Sequence, residues 1–134
     1  MGFFDLDAAE QMLGKAVTTM SDAELVSYLK LSVQQRQGIK LAVDGQPERA
    51  IMAGLKRVYG TDAGSIIKWA VHHHHATMPT GRSAGSPLGF FAFTRGMKWF
   101  TDQLHSEFQQ HRHLLAERQR MEHSAAAFTR LADL

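Results

Sequence analysis

Apolar residues recur every three or four positions along most of this chain, the period of helices that bury one face. Asp7 and Glu10 in DAAE can cap a first helix running to about Thr18. In MSDAEL, Ser21 and Glu24 have the spacing of a capping box, and Met20 and Leu25 can form the flanking hydrophobic staple. The helix opened there carries Leu25, Leu29 and Val33 on one stripe, with Val26 beside it, and Gly38 can end or bend it. Pro47 suits the first turn of a third helix that ends at Gly60. Thr61 can cap a fourth, through Ile66, Ile67, Trp69 and Val71 to a run of four histidines.

Residues 39–43, IKLAV, alternate like a strand before the turn pair Asp44-Gly45. No second alternating segment offers a partner, so this stretch is expected to be helical. Residues 78–89 form a linker, broken by Pro79, Gly81, Ser83, Gly85, Ser86, Pro87 and Gly89. Beyond it Phe93, Met97, Phe100, Leu104, Phe108, His111 and Leu115 make one stripe. That stripe predicts a helix from about Pro87 to at least Met121, which Phe128 and Leu131 can extend or follow as a short last helix. The expected fold is all-α: one domain over residues 1–134, a compact bundle of about five helices. A flexible Gly/Ser/Pro loop would separate the helices of 1–77 from the long C-terminal helix of 90–132.

Composition narrows the class. The chain is 134 residues long, 44% hydrophobic and 21% charged, which is globular rather than disordered. It has no cysteine, excluding disulfides and thiolate metal sites. MGFFDLDAAEQ lacks the basic start and apolar run of a secretory signal. No apolar run approaches the roughly 18 residues that span a bilayer, so a cytoplasmic protein is expected. The net charge of +2 conceals a division: residues 1–29 carry −4, residues 30–100 carry +7 and residues 101–134 carry −1.

The four histidines, His72 to His75, lie in the basic middle. Successive helical residues are rotated by about 100°, so only His72 and His75 share a face. A metal site would need further ligands, with His105 and His111 on the long helix as candidates, beside Asp102, Glu107 and the pair His113 and Glu117. The Glu-x-x-His spacing of carboxylate-bridged metal bundles is absent. The less demanding reading is a helix C-terminus, where the dipole favours positive charge, opening into a basic loop. No cofactor or metal is therefore expected, and His111 reads as a core histidine.

Residues 50–71 have the outline of a helix-turn-helix, whose second helix would present Thr61, Asp62, Ser65 and Lys68 to a groove. Lys56 stands where that motif favours a small residue. A looser phosphate-binding surface would use Arg49, Lys56, Arg57, Lys68, Arg82, Arg95 and Lys98. Trp69 and Trp99 could stack on bases, but fit a core better. LGFFAFTRGMKWF, residues 88–100, is aromatic and basic enough for a membrane surface, yet packing explains it equally.

There is no glycine-rich phosphate loop, no G-x-S-x-G elbow and no cysteine nucleophile. The expectation is a small non-enzymatic accessory or regulatory protein. Its basic middle, residues 30–100, would bind nucleic acid or another polyanion, alone or inside a larger assembly. The competing expectation is a helical module that binds a protein partner or a second copy through the long helix, where residues 105–123 are polar around a thin apolar stripe. A His/carboxylate metal-binding protein is the third.

Overall fold

The structure, a computed structural model, describes residues 3–41, 45–78 and 86–132, with side chains up to residue 125. Among these residues there are five α-helices joined by short 3-10 turns, in the all-α arrangement that the periodicity predicts. They are α1 (Ala8–Leu13), α2 (Asp22–Gln37), α3 (Gln46–Tyr59), α4 (Ala63–His73) and α5 (Lys98–Ala132). No helix among them is long and apolar enough to cross a membrane.

Local chemistry sets most of the boundaries. Asp7 Oδ1 accepts the Glu10 N–H at 2.8 Å while Glu10 Oε1 accepts the Asp7 N–H at 3.0 Å, a reciprocal cap that starts α1. The same box starts α2: Ser21 Oγ accepts from Glu24 N at 3.2 Å, and Glu24 Oε1 from Ser21 N at 3.0 Å. Gly38 closes α2 in the left-handed conformation. Gly14 does the same for α1, which therefore stops at Leu13 and not near Thr18; Val17–Thr19 is a separate 3-10 turn. Thr61 caps nothing, because Gly60–Asp62 is a 3-10 turn leading into α4. Residues 39–41 are not helical, so the expectation for IKLAV fails over its described part; residues 42–44 lie outside the described residues.

The largest correction concerns the start of the long helix. Pro87 pairs with Thr77 in an isolated antiparallel bridge, with Met78 N–H donating to Ser86 O and Leu88 N–H to Ala76 O. This ties down both described ends of the expected loop; residues 79–85 lie outside the described part. Two 3-10 turns, Phe90–Phe93 and Arg95–Met97, follow before α5 begins at Lys98. Thr94, extended between them, breaks the register. Phe93 and Met97 thus reach the core from turns, and only Phe100, Leu104 and Phe108 do so from the helix.

α4 is the centre of the bundle. Every residue from Ala63 to Val71 is buried, and the helix packs against α2, α3, α5 and the turn Val17–Thr19. Leu25, Leu29, Ile66, Ile67 and Leu104 are fully enclosed, each contributing roughly 1.5–3 kcal/mol. The approach of α4 to Val17–Thr19 requires Gly64: a Cβ there would lie 2.3 Å from the Val17 carbonyl oxygen.

Candidate functional site

Three regions bear on function. The first is the histidine end of α4. The helix stops at His73, and His75 and Ala76 both take left-handed backbone angles, turning the chain back. Each histidine then meets a different neighbour. His72 Nε2 lies 2.8 Å from Asp7 Oδ2, and its Nδ1 lies 2.8 Å from an Arg36 nitrogen. Arginine offers only donors, so Nδ1 accepts and Nε2–H donates to Asp7. His73 stacks on Trp69 at 3.5 Å and 9°. His74 Nε2 reaches Glu107 Oε1 at 2.8 Å, the same oxygen that accepts the Trp69 indole N–H at 2.8 Å. His75 is exposed.

These contacts lock residues 3–7 and α5 onto α4. Phe3 lies against the rings of Trp69, His72, His73, Phe108 and His111. Beneath it the buried Lys68 pairs with the buried Glu10 at 2.5 Å, donates to Asp5 O at 2.7 Å and sits 5.1 Å from the Phe3 ring centre. Glu10 also accepts the Val17 N–H at 2.9 Å. A recess of about 480 Å³ lies here, but Asp7, Lys68 and His72 are each engaged within the fold.

The electrostatics follow from this packing. Burial works to raise the Asp7 carboxyl, but His72, the Glu10 N–H and the Tyr28 hydroxyl outweigh it and hold it at about 2. Burial, then the nearby His111 and His72, push the His73 imidazole below its ordinary value. Burial opposes ionisation of Glu107 too, yet bonds from His74, Trp69 and Gln103 lower it. At Asp62 burial is likewise outweighed by His105 and Arg112.

The four histidines considered as metal ligands go to separate places. His72 is used by Asp7 and Arg36, His75 faces solvent, His105 pairs with Asp62 at 3.0 Å and His111 packs on Phe3, Phe4 and Trp69. Among the described residues no three His, Asp or Glu side chains gather where they could hold a metal ion.

The second region is the basic middle, which the fold disperses. Lys68 is inside the protein and cannot meet a phosphate. Ser65 is buried as well, so α4 offers no recognition face and the helix-turn-helix expectation fails. Lys56 pairs with Asp22 at 3.1 Å and donates to Met20 O, and Lys98 pairs with Asp102 at 2.8 Å. Arg49, Arg57 and Arg95 remain exposed, and Arg82 lies outside the described residues. Trp69 is buried as expected, whereas Trp99 is exposed.

The third region is the outer half of α5. Up to Phe108 the helix is anchored in the core. Beyond His111, residues 112–125 are exposed except Leu115, and Leu114 and Met121 are 64% and 73% accessible. His113–Glu117 at 3.8 Å and Glu117–Arg120 at 3.5 Å are pairs along the helix surface. A hollow of about 650 Å³ runs beside Leu114, Leu115 and Met121. Sequence spacing had marked this stretch as thin in apolar residues. It had not marked the histidine contacts, because the partners lie 33 to 65 residues away. Comparison with protein-family models, with curated proteins and with solved structures finds no match to this chain.

Proposed function

We propose that the protein is a non-enzymatic helical interaction module that pairs with a second copy of itself through the outer half of α5. The observation that supports it is the helix that continues to Ala132 although its core contacts end near His111. A solitary helix of about 12–15 residues is marginal in water, so such an extension gains most from a partner helix. Leu114 and Met121, seven residues apart, share one face with Glu117 and Arg118 near it. An antiparallel pairing centred between residues 117 and 118 sets Leu114 of one copy by Met121 of the other. It also sets Glu117 by Arg118 and His113 by Glu122, so the sequence is complementary to its own reverse there.

Sedimentation velocity of the full chain from about 1 to 100 μM tests this. Concentration-dependent dimerisation, abolished by Leu114→Asp with Met121→Asp, is expected. A monomer throughout the range overturns the reading. Binding of a nucleic acid or other polyanion is the second reading, supported by the exposed Arg49, Arg57 and Arg95. It predicts affinity that falls steeply between about 50 and 200 mM salt.

A further inference from the structure

A groove of about 480 Å³ runs between α3 and the 3-10 turns that lead into α5. Ile51, Leu55, Val58 and Phe93 form its apolar lining, and Arg57 and Arg95 stand on its rim. Other polar groups on the groove are already engaged. The Tyr59 hydroxyl bonds with Thr101 at 2.8 Å and donates to Asp102, which also takes Lys98. The two arginines have no ion-pair partner among the described residues.

Gly54 adds an independent observation. It lies inside α3, where glycine costs about 1 kcal/mol against alanine. Internal packing does not demand it, since a Cβ there would meet nothing within 4 Å. Glycine at this position leaves the groove wall bare.

We infer that this groove binds a short acidic and apolar segment of a partner protein, its carboxylates on Arg57 and Arg95 and its apolar side chains against Ile51, Leu55 and Gly54. Guanidinium groups engage carboxylates through paired hydrogen bonds, and apolar walls reward a ligand that also carries hydrocarbon. Two cations are a short track for a nucleic-acid backbone, whose affinity grows with the number of phosphates met. The groove is separate from the outer half of α5, so this inference stands or falls independently of self-pairing.

Fluorescence polarisation with a labelled decapeptide alternating Asp or Glu with Leu or Phe tests it on the full chain. Two control peptides replace the acids with Lys, or the apolar residues with Ser. Single-stranded RNA and duplex DNA are run alongside. The expected result is saturable binding of the first peptide, at least about tenfold tighter than either control and than the nucleic acids. Arg57→Glu with Arg95→Glu should abolish it. Gly54→Leu should block it by filling the groove without lowering the thermal unfolding midpoint, and Leu114→Asp with Met121→Asp should leave binding unchanged. No binding up to about 1 mM overturns the inference. So does binding indifferent to the arginine or Gly54 variants, equal binding of the Ser peptide, or tighter arginine-dependent binding of nucleic acid.

Discussion

α4 and α5 are stabilised in opposite ways. α4 has eleven residues, nine of them consecutively buried, and takes its stability from neighbours on every side. α5 has 35 residues, yet rests on the core through one face over less than half its length. Burial therefore does not scale with helix length here. A polar residue within Ala63–Val71 of α4 belongs to the interior, as Lys68 does, whereas an apolar residue on outer α5 belongs to the surface, as Met121 does.

The contrast is sharpest at Lys68. Replacing it with Met leaves Glu10 charged and enclosed, so a loss of about 3–5 kcal/mol is expected in urea unfolding. The double variant Lys68→Met with Glu10→Leu should recover only part of this, because the Asp7 and Val17 N–H groups then lose their acceptor. A Lys68→Met variant as stable as the parent would break the comparison.

Two helical glycines give the next effect, with opposite signs. Gly64→Ala drives a methyl into the Val17 carbonyl and should cost about 1–3 kcal/mol despite the better helix propensity. Gly54→Ala meets open space and should stabilise by about 0.5–1 kcal/mol. Thermal denaturation of both variants checks the pair.

Acid should loosen the α4 end before it affects α5. His73 is pushed below its ordinary value of 6.5, so its neutral form is favoured in the fold. Its contribution is present above the unfolded value and is lost as pH falls from there through the lowered folded value. The groups facing it are His72, His74, His111, Lys68 and Arg36, against Asp7 and Glu107. The Asp7 contribution is lost lower still, as pH falls from about 3.8 through about 2. Unfolding midpoints from pH 8 to about 2 should decline in these two steps, and His73→Gln should flatten the first.

The smallest effect on folding is expected on outer α5. Leu114→Asp with Met121→Asp should shift the unfolding free energy of the monomer by no more than about 0.5 kcal/mol. A larger loss would mean that this half of the helix is packed on its own body.

What the sequence made legible is what short-range chemistry decides. The Ser21–Glu24 box, the Leu25, Leu29 and Val33 stripe, and the stops at Gly38 and Gly60 all lie within one or two helical turns of their cause. The start of α5 was not legible, because Phe93 and Met97 keep a helical period while Thr94 and the Thr77–Pro87 bridge hold the backbone out of a helix. Nor was the inward Lys68, since its partner Glu10 is 58 residues away and an exposed cation has the same local pattern. Pairing His105 with Asp102, or His111 with Glu107, is natural from their helical spacing. In the fold Asp62 claims His105 and His74 claims Glu107.

The stack of Trp69 on His73 gives the molecule an optical readout of its own. The chain has two tryptophans: Trp69 is enclosed, with its indole N–H on Glu107, and Trp99 is half exposed at the start of α5. With Trp99→Phe, all indole emission comes from a ring sandwiched among His73, Phe3 and Phe108. A protonated imidazole quenches indole, and Glu107 polarises the same ring. One emission band therefore senses Phe3, the end of α4 and the seating of α5 together.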